Sequence, residues 1–194
     1  MEPVFISFKG EINPSSASTL RTALDGLLNE SPSPSHVHLG FSSHGGVLSE
    51  GLKLFNFLDN FPIELTAYNL NLVESSAVIA FLGAKHRRML TTSAFFLHAV
   101  VLRYENGPPT AVEMIQSETN GAKDEEAIDQ ILRTRLTLSD IDLKRRRQNQ
   151  LPLIELNQAL ACGLVNEGNM HSGFPPGPGF RTIHIDGRPS RLVN

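Results

Sequence analysis

The sequence predicts an α/β fold built around a parallel sheet, and three observations support this prediction. Over the first half of the chain, short stretches with strand character alternate with stretches of helical periodicity. The connections between successive strands are long enough to hold a helix, which favours parallel pairing. A pair of short strands is predicted directly after the third helix. Regular stacking of such units could form a spiral instead of a flat, doubly wound sheet. Periodicity alone leaves both arrangements open.

The first two strand–helix units have clear sequence signals. The stretch PVFISFKG predicts a strand that ends at Gly10. Asn13 and Pro14 then predict a helix start, because asparagine is a favoured cap and proline suits the first helical position. The segment NESPSPS ends this helix. HVHLGF predicts a second strand, and SSHGG turns the chain into a helix whose apolar face consists of Leu48, Leu52, Phe55 and Leu58.

The third unit completes the alternating part of the chain. FPIELTAYNL predicts a strand, and a helix of small residues is expected from about residue 74 to residue 82. Two short strands follow, around residues 88–90 and 94–99. This strand pair is the feature that makes a spiral an alternative to a flat sheet.

The second half of the chain is predominantly helical. A long helix is predicted over about residues 110–136, with an interruption at Asn120-Gly121. Ser139 then caps a short helix. The segment ELNQALACGLV predicts a last helix that stops at Gly163.

The helices and strands predict one domain over residues 1–168, followed by a tail over residues 169–194. Proline and glycine are concentrated in the tail segment SGFPPGPGF, which is expected to lie outside the core. For the later segment RTIHIDG, two interpretations stay open: an added strand or a loose segment.

Composition and charge limit the class of protein. Apolar residues make up 40% and charged residues 19% of the chain, as in a globular domain rather than a disordered one. The net charge of −3 provides no basic surplus for a nucleic acid. The basic run at residues 144–147 is interpreted as a solvated helix face.

Sequence patterns also bear on location. No stretch approaches the roughly 20 apolar residues of a membrane span, and the first residues lack a cleavable signal pattern. The single cysteine, Cys162, is interpreted as a buried structural thiol and fits a reducing compartment. We therefore expect a cytoplasmic protein that binds neither nucleic acid nor membrane.

A glycine pair in FSSHGGV is the first candidate for chemistry. It follows a predicted strand and precedes a helix, so its backbone N–H groups can turn towards a ligand. Such groups suit the negative charge that develops on an acyl oxygen, and they suit a phosphate equally well. A plain tight turn is the alternative interpretation.

Two serines and a histidine form the second set of candidates. Ser75 and Ser76 fall at the first turn of a predicted helix, at the sheet edge where open α/β proteins place their sites. Either serine could instead be only a helix cap. His98 closes an apolar strand 23 residues after Ser75, where a base or a core residue would fit. The pair His36 and His38 lacks a nearby acidic or cysteine partner, so no metal site is predicted.

Taken in order, these segments resemble the ClpP-like serine peptidases, the proteolytic subunits of the Clp protease. The resemblance is carried by FSSHGGVLSEGLKLFNFL, NLNLVESSAVIAFLGAKHRRM and SAFFLHAV, and is closer to a divergent bacterial branch. It extends from about residue 5 to residue 165 and includes GEINPSS and ALACGLV. It implies a ClpP/crotonase-like spiral of β-β-α units. It also implies that the helix at 110–136 is the inserted "handle" that joins subunits into rings.

The resemblance also implies roles for individual residues. Ser75 would be the nucleophile and His98 the general base. The backbone N–H groups of Gly45, Gly46 and Ser76 would form the oxyanion hole. No cofactor and no metal are implied, because acyl transfer by a serine requires neither.

The chain departs from the family pattern at two positions. His44 stands where the family has proline in its glycine turn. The third triad member of the family, an aspartate, falls at Gln150, with Asn149 beside it. An amide can orient an imidazole, but it stabilises the imidazolium less than a carboxylate does.

These observations predict a serine endopeptidase that cleaves peptides or unfolded proteins and forms a homo-oligomeric ring. Whether an unfoldase ATPase docks on that ring is left open. The first alternative is a weak or inactive paralogue with a structural or regulatory role in a ring. The second is a crotonase-fold acyl-CoA enzyme, against which the site offers only one nearby acid, Glu74.

Overall fold

The fold is organised by a parallel sheet, and the computed structural model describes residues 2–101, 108–167 and 181–188. The strands of the described residues are β1 (Val4–Gly10), β2 (Val37–Ser43), β3 (Leu65–Glu74), β4 (His86–Met89), β5 (Ala94–Phe96) and β6 (Arg181–Gly187). The helices are α1 (Pro14–Leu28), α2 (Leu48–Asp59), α3 (Ser76–Phe81), α4 (Ala111–Arg135), α5 (Asp140–Arg147) and α6 (Leu156–Cys162).

Strand β3 pairs with two strands in succession. The sheet order is β4-β3-β2-β1-β6, and β5 pairs with β3 outside this path. The first part of β3 pairs with β4, from Thr66 to Asn69, and its last three residues pair with β5, from Leu72 to Glu74. All these pairings are parallel. The change of partner along β3 resolves the open choice in favour of the predicted spiral.

The predicted helix starts and apolar faces are confirmed in the first half of the chain. The Asn13 side chain accepts a hydrogen bond of 3.0 Å from Ser16 N, and Ser16 Oγ accepts one of 3.0 Å from Asn13 N. This reciprocal cap, with Pro14 at the first helical position, starts α1. On α2, Phe55 and Leu58 are buried as expected.

Helix α4 differs from the prediction because it is continuous. The expected interruption at Asn120-Gly121 is wrong, since both residues lie within α4. A glycine inside a helix lowers helix stability by about 1 kcal/mol relative to alanine. Two features offset this cost: Thr110 caps the first turn, and Ile128 and Leu132 are buried. Gly121 itself is buried.

Of the two interpretations left open for RTIHIDG, the structure has the added strand. Residues of RTIHIDG form β6, which pairs with β1 along its whole length, from Val4↔Arg181 to Gly10↔Gly187. Ile185 is only 4% exposed, so this strand contributes a side chain to the core. The physical reason is that β1 would otherwise be an open edge, with unpaired backbone groups. The remainder of the predicted tail, SGFPPGPGF included, lies outside the described residues.

The basic run at residues 144–147 is not wholly a solvated helix face. Three of its side chains are exposed, but Arg146 is 1% exposed. Cys162 is buried as predicted, and burial raises the pKa of its thiol. Among the described helices, none combines the length and apolar character needed to cross a lipid bilayer.

Candidate active site

Ser75 occupies a sharp turn between a strand and a helix. Strand β3 ends at Glu74 and α3 begins at Ser76, so Ser75 alone makes the turn. Its backbone angles, φ 57° and ψ −130°, lie in a region that costs a non-glycine residue roughly 1–3 kcal/mol. Such a strained strand-to-helix turn presents the serine of hydrolases to substrate. The sequence has no G-x-S-x-G motif, so this geometry could not be predicted from it.

Exposure separates the two adjacent serines. Ser75 is half-buried, whereas Ser76 is 2% exposed. Ser76 Oγ has no hydrogen-bond partner among the described residues. Gly51 of α2 lies so close that a Cβ there would be 2.6 Å from Ser76 O. The side chain of Ser76 therefore cannot meet a substrate, and its contribution is limited to its backbone.

The glycine turn packs directly against Ser75. Gly45 has φ 83°, and a Cβ placed on it would lie 2.7 Å from Ser75 Cβ. Gly46 has φ 146°, and a Cβ there would lie 2.2 Å from Ile12 O. Both positions exclude a side chain on conformational and steric grounds. The predicted neighbourhood of glycine turn and serine is thus present in the fold.

The N–H groups of the turn differ in availability. Gly45 N–H donates to Ser43 Oγ at 3.1 Å, so it is already engaged. The carbonyl of Gly45 and the N–H of Val47 both bond to Ile12, at 2.8 Å each. The Gly45 carbonyl and the Gly46 N–H belong to one trans peptide group and point in opposite directions, so Gly46 N–H points away from Ile12. The N–H of Ser76 opens α3 and has no acceptor within that helix.

His98 lies just beyond β5, and its ring is held by the main chain. Its Nδ1 is 2.6 Å from the carbonyl oxygen of Ala99. A carbonyl can only accept, so Nδ1 carries the proton and Nε2 keeps its lone pair. This is the tautomer that a general base acting through Nε2 requires. The backbone N–H of Ser75 donates to Phe96 O at 2.9 Å, which ties the serine turn to the chain two residues before His98.

No hydrogen bond between Ser75 and His98 occurs in the part of the chain that the structure describes. The two side chains are brought to the same edge of the sheet, because β3 and β5 are paired and each residue follows the end of its strand. The described geometry is therefore that of two residues at one sheet edge without a hydrogen bond between them. Catalytic hydrogen bonds of this kind are often long before substrate binds.

The candidates for the third position lie beside the His98 backbone. Asn149, with φ 55°, accepts a hydrogen bond of 2.9 Å from Ala99 N through its Oδ1. Gln150 is exposed, and its backbone N–H donates to Arg145 O at 2.8 Å. Among the described contacts, neither amide side chain bonds to the imidazole. The acceptor at Nδ1 is the Ala99 carbonyl.

Sequence reasoning missed the charged residues that surround this segment. The buried Arg146 donates from Nη1 to His98 O at 3.0 Å. Glu125 on α4 accepts from Val100 N at 2.5 Å and also pairs with Arg146. One signal was present in the sequence, since Arg146 follows the buried Leu143 by three residues and so lies on the same helix face.

A histidine–carboxylate pair links the glycine turn to the serine turn. His44 Nδ1 lies 2.7 Å from Glu74 Oε2. The His44 side chain is 82% exposed, so the pair lies at the surface above the turn. The residue that replaces the family's proline thus contacts the residue immediately before Ser75.

His36 and His38 form a stacked pair, and an acidic residue that the sequence analysis did not expect there, Glu64, lies 3.6 Å from His36 Nδ1. Their rings are 4.4 Å apart. His36 Nε2 bonds with Thr66 Oγ1 at 2.9 Å, and His38 Nδ1 bonds with Tyr68 OH at 2.8 Å. The pKa of His38 is lowered to about 4, mainly by burial and to a smaller extent by the nearby His36 and Arg88. This ring is therefore neutral at pH 7. No group of three or more metal-ligating side chains occurs within the described ranges.

Comparisons with known proteins place this geometry in a family. Solved structures of ClpP1 from Listeria monocytogenes have a similar fold, with a TM-score of 0.65 and 20% identity over 87% of this chain and 92% of that chain. An asparagine-to-aspartate mutant of ClpP1 from Listeria monocytogenes gives a TM-score of 0.67 and 18% identity over 87% and 91% of the two chains. No curated protein sequence matches significantly. The sequence model of the family described as Clp protease matches residues 2–168, and the chain therefore belongs to the Clp protease family.

Proposed function

We propose that the protein is a serine endopeptidase in which Ser75 is the nucleophile and His98 is the general base. The observation that carries the proposal is the strained turn at Ser75, which places this half-buried serine beside a glycine turn. Membership of the Clp protease family supports the same reaction class. The adjacent Ser76 differs from Ser75 on both counts, because its backbone is not strained and its side chain is buried.

The reaction follows from the groups around Ser75. The Ser75 hydroxyl attacks the peptide carbonyl carbon, and its proton passes to Nε2 of His98. The protonated His98 then gives that proton to the leaving amine, and water repeats the sequence to release the acyl group. The negative charge on the tetrahedral oxygen is stabilised by N–H groups of Gly46 and Ser76. Gly45 contributes its conformation instead, since its N–H is engaged by Ser43.

The main chain acts as the third member of the catalytic group. The Ala99 carbonyl accepts from His98 Nδ1 and thereby selects the required tautomer. A neutral oxygen stabilises the imidazolium less than a carboxylate does, and losing the carboxylate can lower the rate by on the order of 10⁴. The proposed peptidase is therefore slow. A non-catalytic role in a ring is the second candidate, and the same neutral acceptor favours it.

An extended substrate would bind along the glycine turn rather than along β5 and the segment that continues it to His98. The edge of β5 is occupied, because Phe95 exchanges hydrogen bonds of 2.9 Å and 2.8 Å with Ile154. Beyond β5, the backbone groups of His98, Ala99 and Val100 bond to side chains. Acyl-CoA chemistry gains no support from the described site, since Glu74 is paired with His44.

Helix α4 is proposed as the element that joins subunits into a ring. Its first half is exposed and carries apolar side chains, with Val112 71% and Ile115 66% exposed. Its second half is packed on the core through Ile128 and Leu132. An exposed apolar face next to a firmly packed anchor suits contact with a second copy of this chain.

The first prediction concerns the nucleophile. A fluorophosphonate probe should label the assembled protein at Ser75, because only an activated hydroxyl reacts with it. Mass spectrometry of the labelled peptide should place the adduct on Ser75 and not on Ser76. Ser75→Ala should abolish labelling, whereas Ser15→Ala, at an exposed position of α1, should retain it. A folded wild-type assembly that takes up no probe contradicts the peptidase proposal.

The second prediction concerns the glycine turn. Gly45→Ala would place a Cβ 2.7 Å from both Glu74 O and Ser75 Cβ at a backbone angle of φ 83°. We expect the rate of Ser75 labelling to fall roughly tenfold or more, because small displacements at a reacting centre have effects of that size. Gly26→Ala is the matched control, since a Cβ there meets nothing within 4 Å. It should keep the labelling rate and stabilise α1 by about 0.5–1 kcal/mol, measured by denaturant unfolding.

The third prediction distinguishes the two amides at residues 149 and 150. Asn149→Asp keeps an oxygen for the Ala99 N–H and adds a negative charge beside the imidazolium. We expect kcat for a fluorogenic peptide to rise about tenfold or more. Gln150→Glu adds the same charge at an exposed position and should change kcat by less than about twofold. A larger gain from Gln150→Glu would assign the third position to Gln150 instead.

The fourth prediction concerns assembly through α4. Light scattering coupled to size exclusion should report an oligomer many times larger than the 21.3 kDa chain. The double variant Val112→Lys with Ile115→Lys should shift the protein to smaller species, because it removes the exposed apolar face. Gln116→Lys, on the same exposed half of α4, is the control and should leave the oligomer intact. A wild-type monomer would contradict the ring.

A further inference from the structure

The chain leaves the sheet immediately after β5, and side chains take over its backbone hydrogen bonds. His98 O accepts from Arg146 at 3.0 Å. Ala99 N–H donates to Asn149 at 2.9 Å. Val100 N–H donates to Glu125 at 2.5 Å. Three residues from α4, α5 and the turn after α5 thus bond to this segment, which pairs with no strand within the described ranges.

These three contacts fix two consecutive peptide planes. His98 O and Ala99 N–H belong to one peptide group, so Arg146 and Asn149 hold it from opposite sides. Ala99 O and Val100 N–H belong to the next peptide group. Because a trans peptide directs its C=O and N–H in opposite directions, the bond to Glu125 also directs the Ala99 carbonyl. That carbonyl is the acceptor for His98 Nδ1.

Arg146 connects both planes. It bonds directly to the first plane, and it pairs with Glu125, which holds the second. Its Nη2 also lies 2.7 Å from Asp129, which Arg147 contacts through the other oxygen at 2.5 Å. The group therefore contains two cations and two anions, and its formal charges balance. Arg146 is 1% exposed, whereas the side chain of Arg147 is 50% exposed.

Stability alone does not account for this buried arginine. Burying an ion group carries a desolvation penalty that its internal attractions often only offset, and apolar replacements of whole groups are often neutral or stabilising. Arg146 Nε has no acceptor among the described residues, which adds to that penalty. The planar guanidinium does fix the relative positions of its partners, because its donors reach one carbonyl and two carboxylates at fixed angles.

We propose that Arg146 is a positioning residue for His98. It holds the peptide planes of residues 98–100 so that the Ala99 carbonyl faces Nδ1, which leaves Nε2 to act as the base. This inference rests on the proposed function, in which His98 is the base. Arg146 does not touch the substrate, so its loss should affect the reaction step and not the binding of a small probe.

The test compares two adjacent arginines that share Asp129. Saturation kinetics with a fluorophosphonate probe give its binding constant KI and the rate constant kinact for modification of Ser75. Arg146→Gln should lower kinact on the order of tenfold to a hundredfold with KI unchanged, as expected for a misplaced base. Arg146→Lys, which keeps the charge but not the fork, should recover part of that loss. Arg147→Gln should keep kinact within about twofold, because Arg147 is half exposed and its contact is with Asp129.

A second variant covers the case in which Arg146→Gln fails to fold. Arg146→Met combined with Glu125→Gln and Asp129→Asn removes the buried charges together, which leaves no uncompensated ion. This triple variant should fold, as judged by circular dichroism and thermal unfolding, and should still show reduced kinact. Normal kinact in either folded Arg146 variant overturns the inference while the peptidase proposal stands. An equal loss in Arg147→Gln also overturns it, and an unlabelled wild type overturns both.

Discussion

The pairing of β3 with two successive strands is the constraint on which the site depends. Its first part pairs with β4 and its last three residues with β5, so the ends of β3 and β5 come to the same edge. Ser75 follows the first of these ends and His98 follows the second. The bond from Ser75 N to Phe96 O, 2.9 Å long, joins them through the backbone. A flat sheet with one partner per strand edge would not bring these residues together.

Around that edge, steric and polar constraints act on different residues. The Ser75 turn is strained and the glycine turn packs against it, so the local conformation at Ser75 is over-determined by close contacts. On the histidine side, no strand of the described residues pairs with the chain after Phe96. Hydrogen bonds from α4 and α5 hold the chain there, and they extend to a buried arginine. The ion group therefore couples the placement of His98 to the long helix α4.

Much of the fold could be predicted because its signals are local. The Asn13-Pro14 start of α1 and the Gly163 end of α6, with φ 84°, depend on neighbouring residues and occur as expected. The predicted interruption of α4 is wrong because packing of the helix outweighs the weak helix propensity of Gly121. The segment that forms β6 was ambiguous, since its pairing with β1 joins residues far apart in the chain. The buried state of Arg146 was missed because charge patterning alone suggests a solvated face.

By itself the sequence determined the order of strands and helices, their apolar faces, and which residue types stand at the turns, since these follow from periodicity and backbone preference within a few residues. It also placed a serine, a histidine and a glycine pair in an order that matches a peptidase family. Only the tertiary structure decided which of the two adjacent serines is fully buried and which acceptor faces His98. Burial and hydrogen-bond direction are set by residues distant in the chain, such as Gly51 against Ser76 and Arg146 against His98. No local pattern contains that information.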